Sequence, residues 1–186
     1  MRNSTFLLTL ASLVLLGIGC GQDAPTPTGS TEPQNVNFKK APFAVDQSNA
    51  VTDNLGLSIG PYFQTFVPQT RKLAQVDLRL IINDVTSPVT TTVGLYTNVQ
   101  ESPVAVVSVV VQPAAPGELY RTISYVFDPA PKLVPGTTHA IGWTGTSVTS
   151  WLFGFGDNYA AGAALNGDGT PVNPPADFVF TTYSPR

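Results

Sequence analysis

The residues of this chain whose types could do chemistry are one histidine, one cysteine, a C-terminal cluster of carboxylates and amides, and a crowd of aromatic rings. His139 could act as a base or a ligand. Proton transfer requires a tuned partner within reach. Gly56-Leu57-Ser58-Ile59-Gly60 matches the Gly-x-Ser-x-Gly pattern, but no helical run follows it to form the strand-to-helix elbow that exposes a nucleophile. Its place just after the Pro135-Gly136 turn suits a strand-edge residue with a satisfied ring equally well. Zinc needs several imidazoles or thiolates, and one of each is too few. The densest polar cluster is Asn166-Gly167-Asp168-Gly169-Thr170, with Asp157 and Asn158 before it and Asp177 after it. Calcium takes six to eight oxygen ligands, and loops of this composition supply carboxylates and free carbonyls. Asp168, Asn166 and Asp177 are the ligands such a site would use, with Asp46 and Asp53 as more distant contributors. The EF-hand spacing is absent, and a tight Asn-Gly, Asp-Gly turn accounts for the same residues.

Trp143, Trp151, Phe153, Phe155 and Tyr159 crowd the last third of the chain. Exposed rings of this kind form stacking platforms for sugars, with Asp and Asn donating and accepting around them. Trp151 and Tyr159, beside Asp157 and Asn158, are the rings expected at such a surface. Trp151, Phe153 and Phe155 also alternate, which is the pattern of a strand facing a core. Both alternatives stand on sequence alone.

The elements that position these groups are strands. Alternation is widespread and helical periodicity nearly absent. Strands are expected at 62–67, 73–82, 91–96, 104–111, 122–127, 139–143, 151–155 and 177–183. In 73–82, Val76, Leu78, Leu80 and Ile82 share one face. The run 104–111 (VAVVSVVV) is apolar on both faces and is expected to be central or covered. Prolines punctuate the gaps between the runs, as they must where a donor-less residue cannot enter a central strand. Eight such strands without crossover helices imply an all-β, antiparallel, jelly-roll-like sandwich, with an eight-stranded barrel as the alternative.

Charged residues make up 11% of the chain, with 9 Lys+Arg against 12 Asp+Glu. That balance speaks against nucleic acid and anionic lipid as partners. The first residues divide into Arg2, an uncharged run over 6–19, and the small-residue stretch Leu16-Gly17-Ile18-Gly19-Cys20. The apolar run is shorter than the roughly 20 residues of a membrane span and reads as a removed secretion signal.

The stretch ending in Cys20 resembles the lipobox of bacterial lipoproteins, with Gly17 where leucine is usual. The resemblance implies a diacylglyceryl group on Cys20 and cleavage before it. With Gly21 and Gln22 following, it also implies residence in the outer membrane where two membranes exist, otherwise on the outer face of the cytoplasmic membrane. One acyl chain anchors marginally and two or three durably. The organisation expected is therefore a signal at 1–19, a lipidated tether rich in Pro and Thr at 20–43, and one domain at 44–186. A flexible tether of this length holds its domain about 25 Å from the bilayer.

The order of runs also resembles the jelly-roll module of secreted bacterial proteins described as "choice-of-anchor" domains. It passes from Gln64-Thr65-Phe66 through Val76-Asp77-Leu78 and the Leu133–Thr137 turn to a closing strand at 177–183. That family implies a non-catalytic surface role. The expected function is thus a monomeric, lipid-anchored envelope module that binds glycan or protein, without a cofactor. A purely structural envelope lipoprotein is the alternative, and a hydrolase ranks behind both because the residue types it needs are scarce.

Overall fold

A computed structural model describes residues 43–83 and 86–186. The signal, Cys20 and the tether up to 42 lie outside the described residues.

Twelve strands form: β1 (Phe43–Asn49), β2 (Leu55–Ser58), β3 (Tyr62–Phe66), β4 (Gln75–Ile82), β5 (Val89–Tyr96), β6 (Ala105–Val111), β7 (Tyr120–Val126), β8 (His139–Thr144), β9 (Thr149–Phe155), β10 (Ala164–Leu165), β11 (Ala176–Phe178) and β12 (Phe180–Pro185). They pair antiparallel into two sheets, one of seven strands and one of five in the order β10-β3-β8-β5-β6. The domain is an antiparallel β-sandwich. The barrel alternative does not hold, because the described strands close no barrel.

Strand β4 organises the larger sheet. β7 lies along one edge over its whole length. The other edge is shared: β12 pairs its first half and β9 its second. β9 in turn pairs β11 antiparallel. Since β4 and β9 are themselves antiparallel, β11 and β12 cannot be collinear, and the chain must turn a corner at Val179 between them. The single strand expected over 177–183 is therefore two. Trp151 closes the junction: its indole Nε1–H donates to the Val179 carbonyl at 2.8 Å, while the Val179 N–H donates to the Leu152 carbonyl at 2.9 Å.

The core lies between the sheets. Val76, Leu78, Leu80 and Ile82 are buried on the inner face of β4, opposite Val93, Leu95, Ile141 and Trp143 of the smaller sheet. At about 25 cal/mol per Å² of apolar surface removed from water, such rows supply the main favourable free energy of folding. Strand β6 departs from expectation. It is an edge strand paired only to β5, and its outward residues Val106 and Val110 are exposed. An uninterrupted apolar run on the inner face looks central in sequence, but here valines also serve the outer face of an edge.

A pair of hydroxyls is buried in this core. The hydroxyls of Tyr125 and Thr91 lie 2.7 Å apart with both residues fully buried, and burial pushes the Tyr125 pKa up to about 12. Tyr125→Phe strands the Thr91 hydroxyl, and a buried hydroxyl without a partner costs about 1–2 kcal/mol. Urea denaturation should show that loss. Adding Thr91→Val to Tyr125→Phe should recover most of it, because neither polar group is then left behind.

Two glycines on the outer face of the smaller sheet make room for rings. Gly94 and Gly142 are cross-strand partners. A Cβ on Gly142 would sit 2.5 Å from the Tyr96 ring and 2.7 Å from the Phe63 ring. These two rings pack edge to face at 5.1 Å.

Candidate functional site

The structure gathers several of the sequence-picked residues at the loop 156–163 and gives each a partner. Asp177, on β11, is 1% exposed. Its Oδ1 accepts from Gln64 Nε2 at 2.9 Å, and its Oδ2 accepts from the backbone N–H groups of Asn158 at 2.9 Å and Tyr159 at 3.0 Å. Gln64 lies on β3 in the opposite sheet, and its Oε1 accepts from the Phe178 N–H at 2.7 Å. One amide and one carboxylate thus tie both sheets and the loop together. Burial pushes the Asp177 pKa up. The three hydrogen bonds pull it back, and the charge of Asp157 adds to the rise.

Beside this network is a cavity of about 340 Å³. Its walls are small residues, among them Gly156, Ala160, Gly162 and Ala163, with Asp157 and Asp177 at its edge. The loop packs tightly on β3. The Thr65 N–H donates to the Ala163 carbonyl at 2.9 Å, and a Cβ on Gly162 would collide with the Thr65 carbonyl. Both Asp177 oxygens are already engaged by N–H donors. With three N–H donors on its two oxygens, the carboxylate serves as a structural acceptor that ties the loop to both sheets.

Trp151 does not form a surface platform. It is fully buried and stacks on Phe178 at 4.2 Å. Tyr159 is 8% exposed, packs edge to face on Phe180 at 5.1 Å and donates its hydroxyl to Gln47 Oε1 at 2.9 Å. Of the five rings Trp143, Trp151, Phe153, Phe155 and Tyr159, only Phe155, read in sequence as part of a core-facing alternation, is substantially exposed. Trp143 is buried and tilts against Trp151 at 6.3 Å. Asp157 and Asn158 are exposed, and Asn158 Nδ2 caps the Phe155 carbonyl at 2.9 Å.

The residues suggested for calcium are divided between separate structures. Asn166 and Asp168 share the tight turn: Asp168 Oδ1 accepts from both the N–H and the hydroxyl of Thr170, which holds its carboxyl below the usual range. The Asp168 carbonyl accepts from Gln100 Nε2 at 2.7 Å, so this turn is latched to the loop after β5. Asp177 is engaged as described above. Asp53 Oδ2 accepts from the Phe155 N–H, and Asp46 from the Gln69 N–H. Among the described residues no three His, Cys, Asp or Glu side chains are placed to share an ion.

His139 is 3% exposed, and its Nε2 accepts from the Val134 N–H at 3.3 Å. That bond places the ring proton on Nδ1. Burial lowers its pKa from 6.5, with backbone groups of Val134 and Tyr96 opposing the shift. The unfolded chain therefore gains this proton at a higher pH than the folded one, and stability falls as pH drops from about 6.5 toward the folded value. Asp177 contributes with the opposite sign: its raised pKa adds stability as pH falls through the folded value toward 3.8. Urea midpoints at about pH 7.5 and pH 5 should separate the two. The wild type should weaken more between them than His139→Gln, and equal slopes would remove His139 from the account.

The sequence left unnoticed the outer face of the larger sheet. Gln75, Asp77, Arg79 and Ile81 point outward along β4, where Arg79 is exposed and the others are half-buried. Gln75 Nε2 donates to Asp77 Oδ1 at 2.6 Å and to the Ser124 hydroxyl at 3.3 Å. The Tyr183 hydroxyl donates to Asp77 Oδ2 at 2.8 Å, and burial together with Asp77 pushes its pKa up to about 12. Toward the other end, the Arg79 guanidinium lies 5.6 Å from the centre of the Tyr120 ring. The result is a polar strip held at its Asp77 end by its own hydrogen bonds, with a tyrosine at each end. Each of these residues reads in sequence as the ordinary solvent half of an alternating strand.

No family model matches the chain, and no curated protein and no solved structure matches it either.

Proposed function

We propose that the chain is an envelope lipoprotein anchored through Cys20, and that its β-sandwich is a non-catalytic module whose larger sheet binds an extended glycan on its outer face. The observation that carries this is the Asp77 strip. A carboxylate fixed by Gln75 and Tyr183, with Ser124 and Arg79 beside it, offers acceptors and donors at set positions. The rings of Tyr183 and Tyr120 offer apolar faces to sugar C–H groups, and aromatic residues with a polar tip suit a surface that is part wet and part apolar. A pre-ordered strip loses little side-chain entropy on binding. The loop 156–163 supports the same non-catalytic role, since Asp177 is consumed in holding the sheets together.

A glycan array probed with the exported protein tests the face. Tyr183→Ala and Tyr120→Ala should each weaken any retained signal by roughly tenfold or more, as about 1.4 kcal/mol corresponds to tenfold. Binding that survives both changes moves the site elsewhere. No retained glycan at all favours the purely structural envelope role. Intact mass spectrometry of the exported protein tests the anchor, because an unmodified Cys20 thiol contradicts it.

A further inference from the structure

We infer that the end of the sandwich where the tether enters is a docking face for anionic phospholipid headgroups, although the protein as a whole is acidic. Six cations occur among the described residues, and four of them gather here. Lys72 and Lys132 are partners in an antiparallel bridge. The Leu133 N–H donates to the Arg71 carbonyl at 2.9 Å and the Leu73 N–H to the Pro131 carbonyl at 3.1 Å, binding the two basic segments together. Arg71 and Lys72 line a shallow cavity of about 260 Å³ with Thr70, Ser184 and Pro185, and Arg186 follows directly. All four cations are exposed. None is within ion-pair distance of a described carboxylate, and the one ion pair among the described residues joins Arg121 to Glu118. The carboxylates beside this face are Asp46, engaged by the Gln69 N–H, and Asp128, in the turn that leads to Lys132.

The same end receives the tether. Phe43, the first residue of β1, pairs with Pro185. Four of the six cations among the described residues thus lie at the end of the domain where β1 begins. A net charge counts them against carboxylates spread over the whole molecule. A membrane surface reads only what lies within a Debye length of it, about 8 Å at physiological salt, and there each Lys or Arg is attracted by anionic lipid. That an acyl anchor delivers this face to a bilayer rests on the anchor proposed above. The attraction to headgroups does not.

Vesicle sedimentation of the full chain carrying Cys20→Ala removes any acyl contribution. In about 20 mM salt it should bind vesicles of phosphatidylcholine with about 30% phosphatidylglycerol, leave pure phosphatidylcholine vesicles in the supernatant, and be released in about 500 mM salt. The combined change Arg71→Gln, Lys72→Gln, Lys132→Gln should lower the partition coefficient at least tenfold, while Arg79→Gln, on the outer sheet face, leaves it unchanged. Circular dichroism confirms that each variant is folded. Failure of the otherwise unchanged Cys20→Ala chain to bind, binding that ignores salt, or equal loss with Arg79→Gln overturns the inference. Unmodified Cys20 in the exported protein overturns the anchor alone, and loss of glycan binding leaves this face unaffected.

Discussion

Asp177→Ala is expected to lower the unfolding free energy by about 3–5 kcal/mol, near the upper end for a single polar substitution. Three N–H donors converge on this carboxylate, from Gln64, Asn158 and Tyr159. Each would be left buried or half-buried without an acceptor, at about 1–3 kcal/mol apiece before relaxation. Removing Asp177 also releases the loop from the sheet corner, so limited proteolysis should cut within 156–163 before global unfolding. Gln64→Leu attacks the network from the other side. It strands the Phe178 N–H and deprives a buried carboxylate of one donor, and it should cost about 2–4 kcal/mol. The two changes share partners, so the double variant should lose clearly less than their sum. Additive losses would mean that Gln64 and Asp177 act separately. A loss below about 1 kcal/mol for Asp177→Ala would mean that water replaces the carboxylate, and the network would not then be what fixes the loop.

The fold was legible where burial falls on one face. Residues 73–82 alternate cleanly, and their apolar row lies in the core as expected. The boundaries at 62–67, 91–96 and 139–143 agree with the strands to within two residues. The corner at Val179 was not legible, because DFVFTTY is as regular as any single strand and its break is imposed by β4 and β9 competing for neighbours. β1, β2 and β10 carry too few alternating apolar residues to stand out. Around the candidate sites, residue type misled in a consistent direction. Trp151, Tyr159 and Asp177 looked functional because an indole N–H, a phenol O–H and a carboxylate are costly to bury unpaired, yet each has a partner that offsets the cost. Gln64 holds the network together and was unremarkable among Phe and Thr neighbours. The Asp77 strip and the basic end are made of ordinary surface residues, and only the register of β4 with β12 and of Lys72 with Lys132 brings them together.

Trp151→Ala is the second large effect, expected at about 3–5 kcal/mol. The indole is fully buried between Phe178, stacked at 4.2 Å, and Trp143, at 6.3 Å. Its removal empties the volume at the three-way junction of β4, β9 and the β11–β12 corner. It also strands the Val179 carbonyl, which accepts the indole N–H at 2.8 Å. Trp151→Phe separates the contributions: it keeps most of the packing and loses the donor, and should cost about 1–3 kcal/mol. The pair bears directly on how binding data are interpreted. If the sandwich binds glycan on the outer face of its larger sheet, Trp151→Ala will weaken binding by unfolding the protein. The loss should then track the folded fraction and recover at low temperature or with a stabilising osmolyte. Tyr183→Ala, on the outer face, should weaken binding by roughly tenfold or more even at temperatures where the variant is fully folded. A Trp151→Ala protein that stays fully folded yet no longer binds would place the indole in contact with ligand, contrary to its burial at the junction.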